Sequence, residues 1–207
     1  MQSWCENNSM ELNLKKSHIL LNTRQKISLN EDISIPVTEE VTMLGVKLNG
    51  KLDWNSHVNF VKKKCCQRFH ALRRLKPFLP PRELHSVYTA HIRSLIEYAC
   101  PVFSGLNRTT SDTLQRIDDR AHRIIFGARP YPCNCQNINQ RMQFLSVNLF
   151  NKITTHSKHL LHHNIPPHLR TKPKQHQNIL CRTQKRNNSF FPLITRAINN
   201  EQQANRV

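Results

Sequence analysis

After Trp54 the apolar residues of this chain recur at helical rather than strand spacing, and no other feature constrains the fold as much. Val58, Val61, Cys65, Phe69, Leu72 and Leu75 fall on one helical stripe. Asp53, Asn55 or Ser56 can cap its first N–H groups, and Pro77 ends it. A second helix is predicted from Pro80-Pro81, since proline's missing donor costs nothing in a first turn. Its stripe is Leu84, Val87, Tyr88, Ile92, Leu95, Ile96 and Ala99. A third, capped near Ser111-Asp112, carries Leu114, Ile117, Ala121, Ile124 and Ile125, with Gly127 just past its end and Pro130 beyond. Three amphipathic helices with short connections predict a small bundle. Past Pro130 the pattern weakens: residues 140–161 read as helix, and residues 164–188 as a polar, basic loop or disordered stretch.

The residues before Trp54 have a different texture. His18-Ile19-Leu20-Leu21, Ile27-Ser28-Leu29, Ile33-Ser34-Ile35 and Val41 to Leu48 are short runs rich in β-branched residues, separated by Asn30-Glu31-Asp32 and Pro36. They predict a small, mostly antiparallel sheet, and Asn49-Gly50 is a hairpin-turn signal. The expectation is therefore an α+β chain. Its parts are a small antiparallel sheet over residues 1–54, a three-helix bundle over 55–130, and a helical, partly disordered basic extension over 131–207. With 4 glycines in 207 residues, a Gly-rich phosphate loop or a many-turned sandwich is excluded as a first choice.

Charge points to the partner. Lys and Arg number 31 against 13 Asp and Glu, a formal net charge of +18. Such a field attracts polyanions, and phosphate neutralisation releases counterions. Between Lys51 and Lys76 eight basic residues face only Asp53, and from Asn151 onward ten Lys and Arg face only Glu201. RNA or DNA is the expected partner, bound without sequence preference; a solubilising surface is the plain alternative.

The 7 cysteines form no disulfide framework, Met1 to Met10 lacks an apolar signal core, and no run approaches the roughly 20 apolar residues that span a bilayer. An intracellular protein, cytoplasmic or nuclear and off the membrane, is expected, with Cys65 and Cys66 packed on a helix face. Cys133-Asn134-Cys135 has too short a spacing for a zinc ligand pair, and His156, His159, His162 and His163 could share a helix face but have no carboxylate or thiolate beside them. No metal site is assigned.

The order of segments from residue 4 to residue 193 resembles the C-terminal part of non-LTR, LINE-type retrotransposon reverse transcriptases. Trp4-Cys5, Asn8 and Leu12-Asn13-Leu14-Lys15-Lys16-Ser17 look like the segment after that family's polymerase carboxylates. Met43-Leu44-Gly45-Val46-Lys47-Leu48 looks like its Leu-Gly-Val primer-grip hairpin, with Asn49 where Asp is usual, and Leu52 to Val58 looks like its entry into the thumb. Leu95-Ile96-Glu97-Tyr98-Ala99-Cys100-Pro101-Val102-Phe103 looks like its thumb motif, with Phe103 where Trp is common. Leu114 to Ile117 and Ala121 to Ile125 match the helix that follows. Asn188-Ser189-Phe190-Phe191-Pro192 resembles the Ser-Phe-Phe-Pro motif, with Ile198-Asn199 replacing a later Trp-Asn pair.

The resemblance implies the end of a palm, a thumb and a C-terminal extension. It places Lys16 near the incoming nucleotide's phosphates, where a cation or proton donor assists the departing pyrophosphate. Gly45 and Lys47 would lie against the primer. Lys62, Lys63, Lys64, Arg68, Arg73 and Arg74 would follow the template–primer duplex through phosphate contacts. The intact parent uses Mg²⁺ on palm carboxylates. Those carboxylates are expected upstream of Met1, so the chain alone is expected to be no enzyme. Asp118-Asp119 imitates such a pair but lies in a helical apolar pattern, which reads as a solvated face with Arg116 and Arg120 as ion-pair neighbours. The alternative to a reverse transcriptase part is a non-enzymatic, basic RNA- or DNA-binding module derived from a retroelement.

Overall fold

The structure is a computed structural model, describing residues 2–22, 35–103, 105–127, 137–168, 175–182, 186 and 188–204. The predicted strand Ile27-Ser28-Leu29, most of Ile33-Ser34-Ile35 and the Cys133-Cys135 pair lie outside the described residues. The fold class is α+β. Two compact units are formed, Met1–Phe60 and Val61–Val207.

In the first unit, a short helix α1 (Gln2–Asn7) and a 3₁₀ turn (Leu14–Lys16) precede four short strands: β1 (Ile19–Leu20), β2 (Val37–Thr38), β3 (Glu40–Met43) and β4 (Val46–Asn49). β1 pairs with β2 in parallel, and β3 pairs with β4 antiparallel, with Met43 opposite Val46 and Glu40 opposite Asn49. The expected single sheet is therefore two separate two-stranded ones. The hairpin turn also differs from the expectation. It falls at Leu44 and Gly45, with φ of 48° and 80°, the positive pair that a type I′ turn requires. Gly50 follows the hairpin in a separate turn, closed by the Leu52 N–H on the Asn49 oxygen at 2.9 Å, and a Cβ there would stand 2.5 Å from the Leu21 carbonyl oxygen, so the close approach selects the glycine. Asn49 and Asp53 exchange two hydrogen bonds, and Asp53 also accepts from the Asn55 N–H at 3.1 Å, starting the next helix.

That helix, α2 (Asn55–Leu75), begins in the first unit and continues into the second. Val58, Val61, Cys65, Phe69 and Leu72 are buried, as the period requires, and Leu75 is half-buried. α3 (Pro81–Tyr88) runs through a π-helical turn (Thr89–Arg93) into α4 (Ser94–Glu97). The π turn has a cause in the sequence. Leu84, Tyr88, Ile92 and Ile96, all buried, are spaced by four, and at about 100° per residue such a row drifts about 40° per step around an α-helix. A wider π turn brings the row back onto one face. Its rearranged carbonyls find donors on α2: the Arg68 guanidinium bonds the His91 oxygen, and the Cys65 thiol lies 4.0 Å from the Ile92 oxygen.

α5 (Arg108–Phe126) is capped by Asn107, whose side chain accepts from the Thr110 N–H at 2.8 Å, four residues earlier than the Ser111-Asp112 expected. Periodicity marks where a stripe starts, not where the cap sits. Gly127 closes α5 with φ 84°, in the expected role. α6 (Ile138–Thr155) opens with a capping box of Asn137 and Gln140. It ends at Thr155 with His156 as its C-cap, and His162 and His163 lie in a 3₁₀ segment (His162–Asn164), so the four histidines that could share a helix face do not. α7 (Phe190–Ala204) begins within the Ser-Phe-Phe-Pro stretch, with Pro192 in its first turn. Gly105 approaches that stretch so closely that a Cβ would stand 1.7 Å from the Asn188 oxygen. No helix among the described residues is long and apolar enough to cross a membrane.

Leu95 and Ile124, which the pattern places on their stripes, are only half-buried, whereas Ile96 is fully buried and Ile125 nearly so. Ile96→Ala and Ile125→Ala are expected to cost about 2–5 kcal/mol each, and Leu95→Ala and Ile124→Ala clearly less. Urea denaturation of the four variants measures this ordering.

Candidate nucleic-acid interface

α2 contains no carboxylate, so nothing on its own surface neutralises its cations. Lys62, Lys63, Lys64, Arg68, Arg73 and Arg74 are all exposed, as expected. They do not form one row. At about 100° per residue, Lys63 and Arg74 stand opposite the buried stripe, Lys62 and Arg73 flank it on one side, and Lys64 and Arg68 flank it on the other. Arg68 is anchored to the His91 oxygen. Lys62, Lys63, Arg73 and Arg74 thus share one side of the helix, as two cation pairs three turns, or about 16 Å, apart. His70 is exposed between them.

The other expected site residues lie in the first unit. Lys16 closes the 3₁₀ turn, its N–H bonded to the Asn13 side chain at 3.2 Å, and its side chain is exposed. Gly45 is exposed at the hairpin tip, where positive φ accounts for it. Lys47 is more committed: its ammonium is 3.8 Å from Glu40 and 5.4 Å from the centre of the Phe60 ring. Its own backbone N–H meets His57 Nδ1 at 3.4 Å. Burial lowers the pKa of this His57, whose neutral form is what can accept that bond. Lys47 therefore braces the hairpin within its own unit.

Asp118 is not on a solvated face. It is buried, accepts a hydrogen bond from the Tyr88 hydroxyl, and lies 3.4 Å from His122 Nδ1. The same Nδ1 is 2.9 Å from the Asp118 backbone oxygen. His85 and Phe126 close the aromatic cluster around His122, with ring centres 5.6 and 6.1 Å away. Asp119, one position on, accepts from Gln115 at 3.1 Å. Arg120 does not pair as expected but lies over the Phe69 ring, 5.0 Å from its centre. Helical phase caused the misreading, since Asp118 is one residue after Ile117 and four after Leu114, inside the buried arc.

These residues do not fit the Mg²⁺ of the resembling polymerases. Adjacent helical positions point about 100° apart, and the Asp118 oxygens are already held by Tyr88 and His122. Among the described residues no group of three or more His, Cys, Asp or Glu is placed to hold a metal ion.

Pattern reading also missed a second polar knot. Glu97 of the Leu95-to-Phe103 motif is clamped by Arg93, whose Nε is at 2.7 Å, and by Arg141 of α6 through bonds of 3.1 and 3.3 Å. The motif is thus a corner: Ile96, Cys100 and Phe103 plug the core while Glu97 ties on α6. The i,i+4 spacing of Arg93 and Glu97 was visible in the sequence, but the third member was not. Burial pushes the thiols of Cys65 and Cys100 up to about 12, so neither is a nucleophile at neutral pH.

No family model, curated protein or solved structure matches this chain.

Burial by itself would lower the His122 pKa, but the hydrogen bonds and charge of Asp118 outweigh it and leave it raised above 6.5. A base whose folded pKa is raised contributes stability below its unfolded pKa and loses it as pH rises through the folded one. His57 and His85 are lowered, chiefly by burial, and act oppositely, losing stability as pH falls below about 6.5. The contribution from His122 should disappear in Asp118→Asn. Urea unfolding from pH 5 to 8 should therefore show the gap between the two proteins widest at low pH and narrowing as pH rises.

Proposed function

We propose that this chain is the palm edge and thumb of a polymerase resembling those of non-LTR retrotransposons, and that it holds a template–primer duplex by its phosphates. The observation that carries the reading is α2: its apolar stripe is consumed by the fold while every Lys and Arg on it is exposed, with no carboxylate among them. The placement of carboxylates elsewhere supports it. Glu40, Glu97, Asp118 and Asp119 accept internal bonds, so part of the small acidic complement is spent inside the fold. Lys62, Lys63, Arg73 and Arg74 are the contacts assigned to the duplex. They recognise charge spacing and carry no base information. Lys64 and Arg68 flank this face, and Gly45 and Lys47 support the hairpin.

No step of polymerisation is assigned to residues of this chain. A basic module that holds RNA or DNA without a polymerase domain is the second reading.

If all four residues meet phosphates, changing Lys62, Lys63, Arg73 and Arg74 together to Gln should flatten the slope of log K against log salt by about 3.6 on duplex DNA. Affinity should fall alike for unrelated sequences. Fluorescence anisotropy at several salt concentrations measures both. A slope that survives this change, but falls when Arg182 and Arg186 are neutralised, would assign the binding to the C-terminal basic segment instead.

A further inference from the structure

Unit two holds a cleft of about 650 Å³ that the duplex-binding face of α2 does not include. It lies among the first turns of α5 and α6 and the middle of α7, with Leu106, Met142, Leu193 and Ala197 forming its apolar lining. Asn139, Gln143 and Asn200 supply carboxamides, Ser111 a hydroxyl, and Arg196 its charged lining group. Ser111 donates to the Asn139 oxygen at 2.6 Å, which orients that carboxamide with its NH₂ end as a donor. Arg196 Nε donates to the Pro192 oxygen at 3.2 Å, which steadies the guanidinium against α7.

We infer that this cleft takes an unpaired base of a nucleic-acid single strand, seating the ring on Met142 and Leu193 and reading its edge with Gln143 and Asn200. The chemistry of the lining selects this class. An apolar floor with carboxamides at its margin suits a flat heterocycle whose edge both donates and accepts, because an amide offers both functions side by side. Met142 adds a polarisable surface, and a guanidinium plane is a stacking surface for bases. No Asp or Glu is among the described residues that line the cleft, and Arg196 attracts the phosphate that accompanies a base. Its volume lies within the range of sites for single small ligands. A paired base inside a duplex cannot enter it. The inference rests on the cleft and not on the α2 reading.

The test uses the full chain and three probes of equal length: an adenine single strand, an abasic strand with the same phosphates, and a duplex. The protein should bind the adenine strand about tenfold more tightly than the abasic one. Ala197→Phe, which fills the cleft, should abolish that preference while leaving abasic and duplex affinities unchanged. Gln143→Ala/Asn200→Ala, at two exposed positions, should do the same, and decides the matter if Ala197→Phe melts early. Changing the four α2 cations should instead weaken all three probes and preserve the preference. Equal affinity for adenine and abasic strands, or a preference that survives in the double variant, overturns the proposal and leaves the α2 reading untouched.

Discussion

A carboxylate can be buried only where donors replace its water, and Asp118 finds such partners on two helices. The Tyr88 hydroxyl reaches it from α3, and His122 faces it from one turn along α5. Burial and the neighbouring Asp118 push the Tyr88 pKa up, so the phenol stays protonated and remains a donor. Much of the second unit follows from that pair. Fixing Tyr88 on α5 sets the rotation of α3 just before the π turn begins. The turn brings Ile96 into the core and presents Glu97 to Arg141 of α6. α6 then packs against α7, where Asn199 bonds both the N–H and the oxygen of His176, at 3.1 and 2.9 Å. His176, in the stretch that reads as polar loop, is thereby pinned and is buried against Phe150.

The same economy of acids shapes the surface. In a chain with 13 acidic and 31 basic residues, the carboxylates held by Tyr88, His122 and Gln115 are spent on packing and do not serve the surface cations. On α2 the packing is supplied by Val61, Cys65, Phe69 and Leu72, while its Lys and Arg side chains are exposed. Self-repulsion among such groups destabilises a compact chain, and a bound polyanion relieves it.

Elements set by local chemistry were legible. The period from Val58 to Leu72 gives α2, Pro81 opens α3, and Gly127 closes α5, each because a short stretch of backbone decides it. Asn49-Gly50 shows where that logic runs out. The dipeptide does form a turn, with the Leu52 N–H on the Asn49 oxygen, yet the register that pairs Met43 with Val46 puts Leu44 and Gly45 at the hairpin turn. Register is settled by cross-strand pairing, which propensity does not see. Of the candidate site, the exposed cations of α2 were readable from periodicity. Their division into a shared side and an anchored flank was not, because the Arg68 bond depends on a carbonyl 23 residues away.

Sequence alone determined the amphipathic helices, the excess of positive charge and the faces on which both lie, since periodicity and composition are properties of consecutive residues. Tertiary structure alone decided that Asp118 is buried rather than solvated, that Glu97 joins Arg93 to Arg141, and that carboxamides of α6 and α7 meet around one cleft. These arrangements need side chains from separate helices within hydrogen-bond reach of one another. Only the packing of complete helices brings such distant residues together.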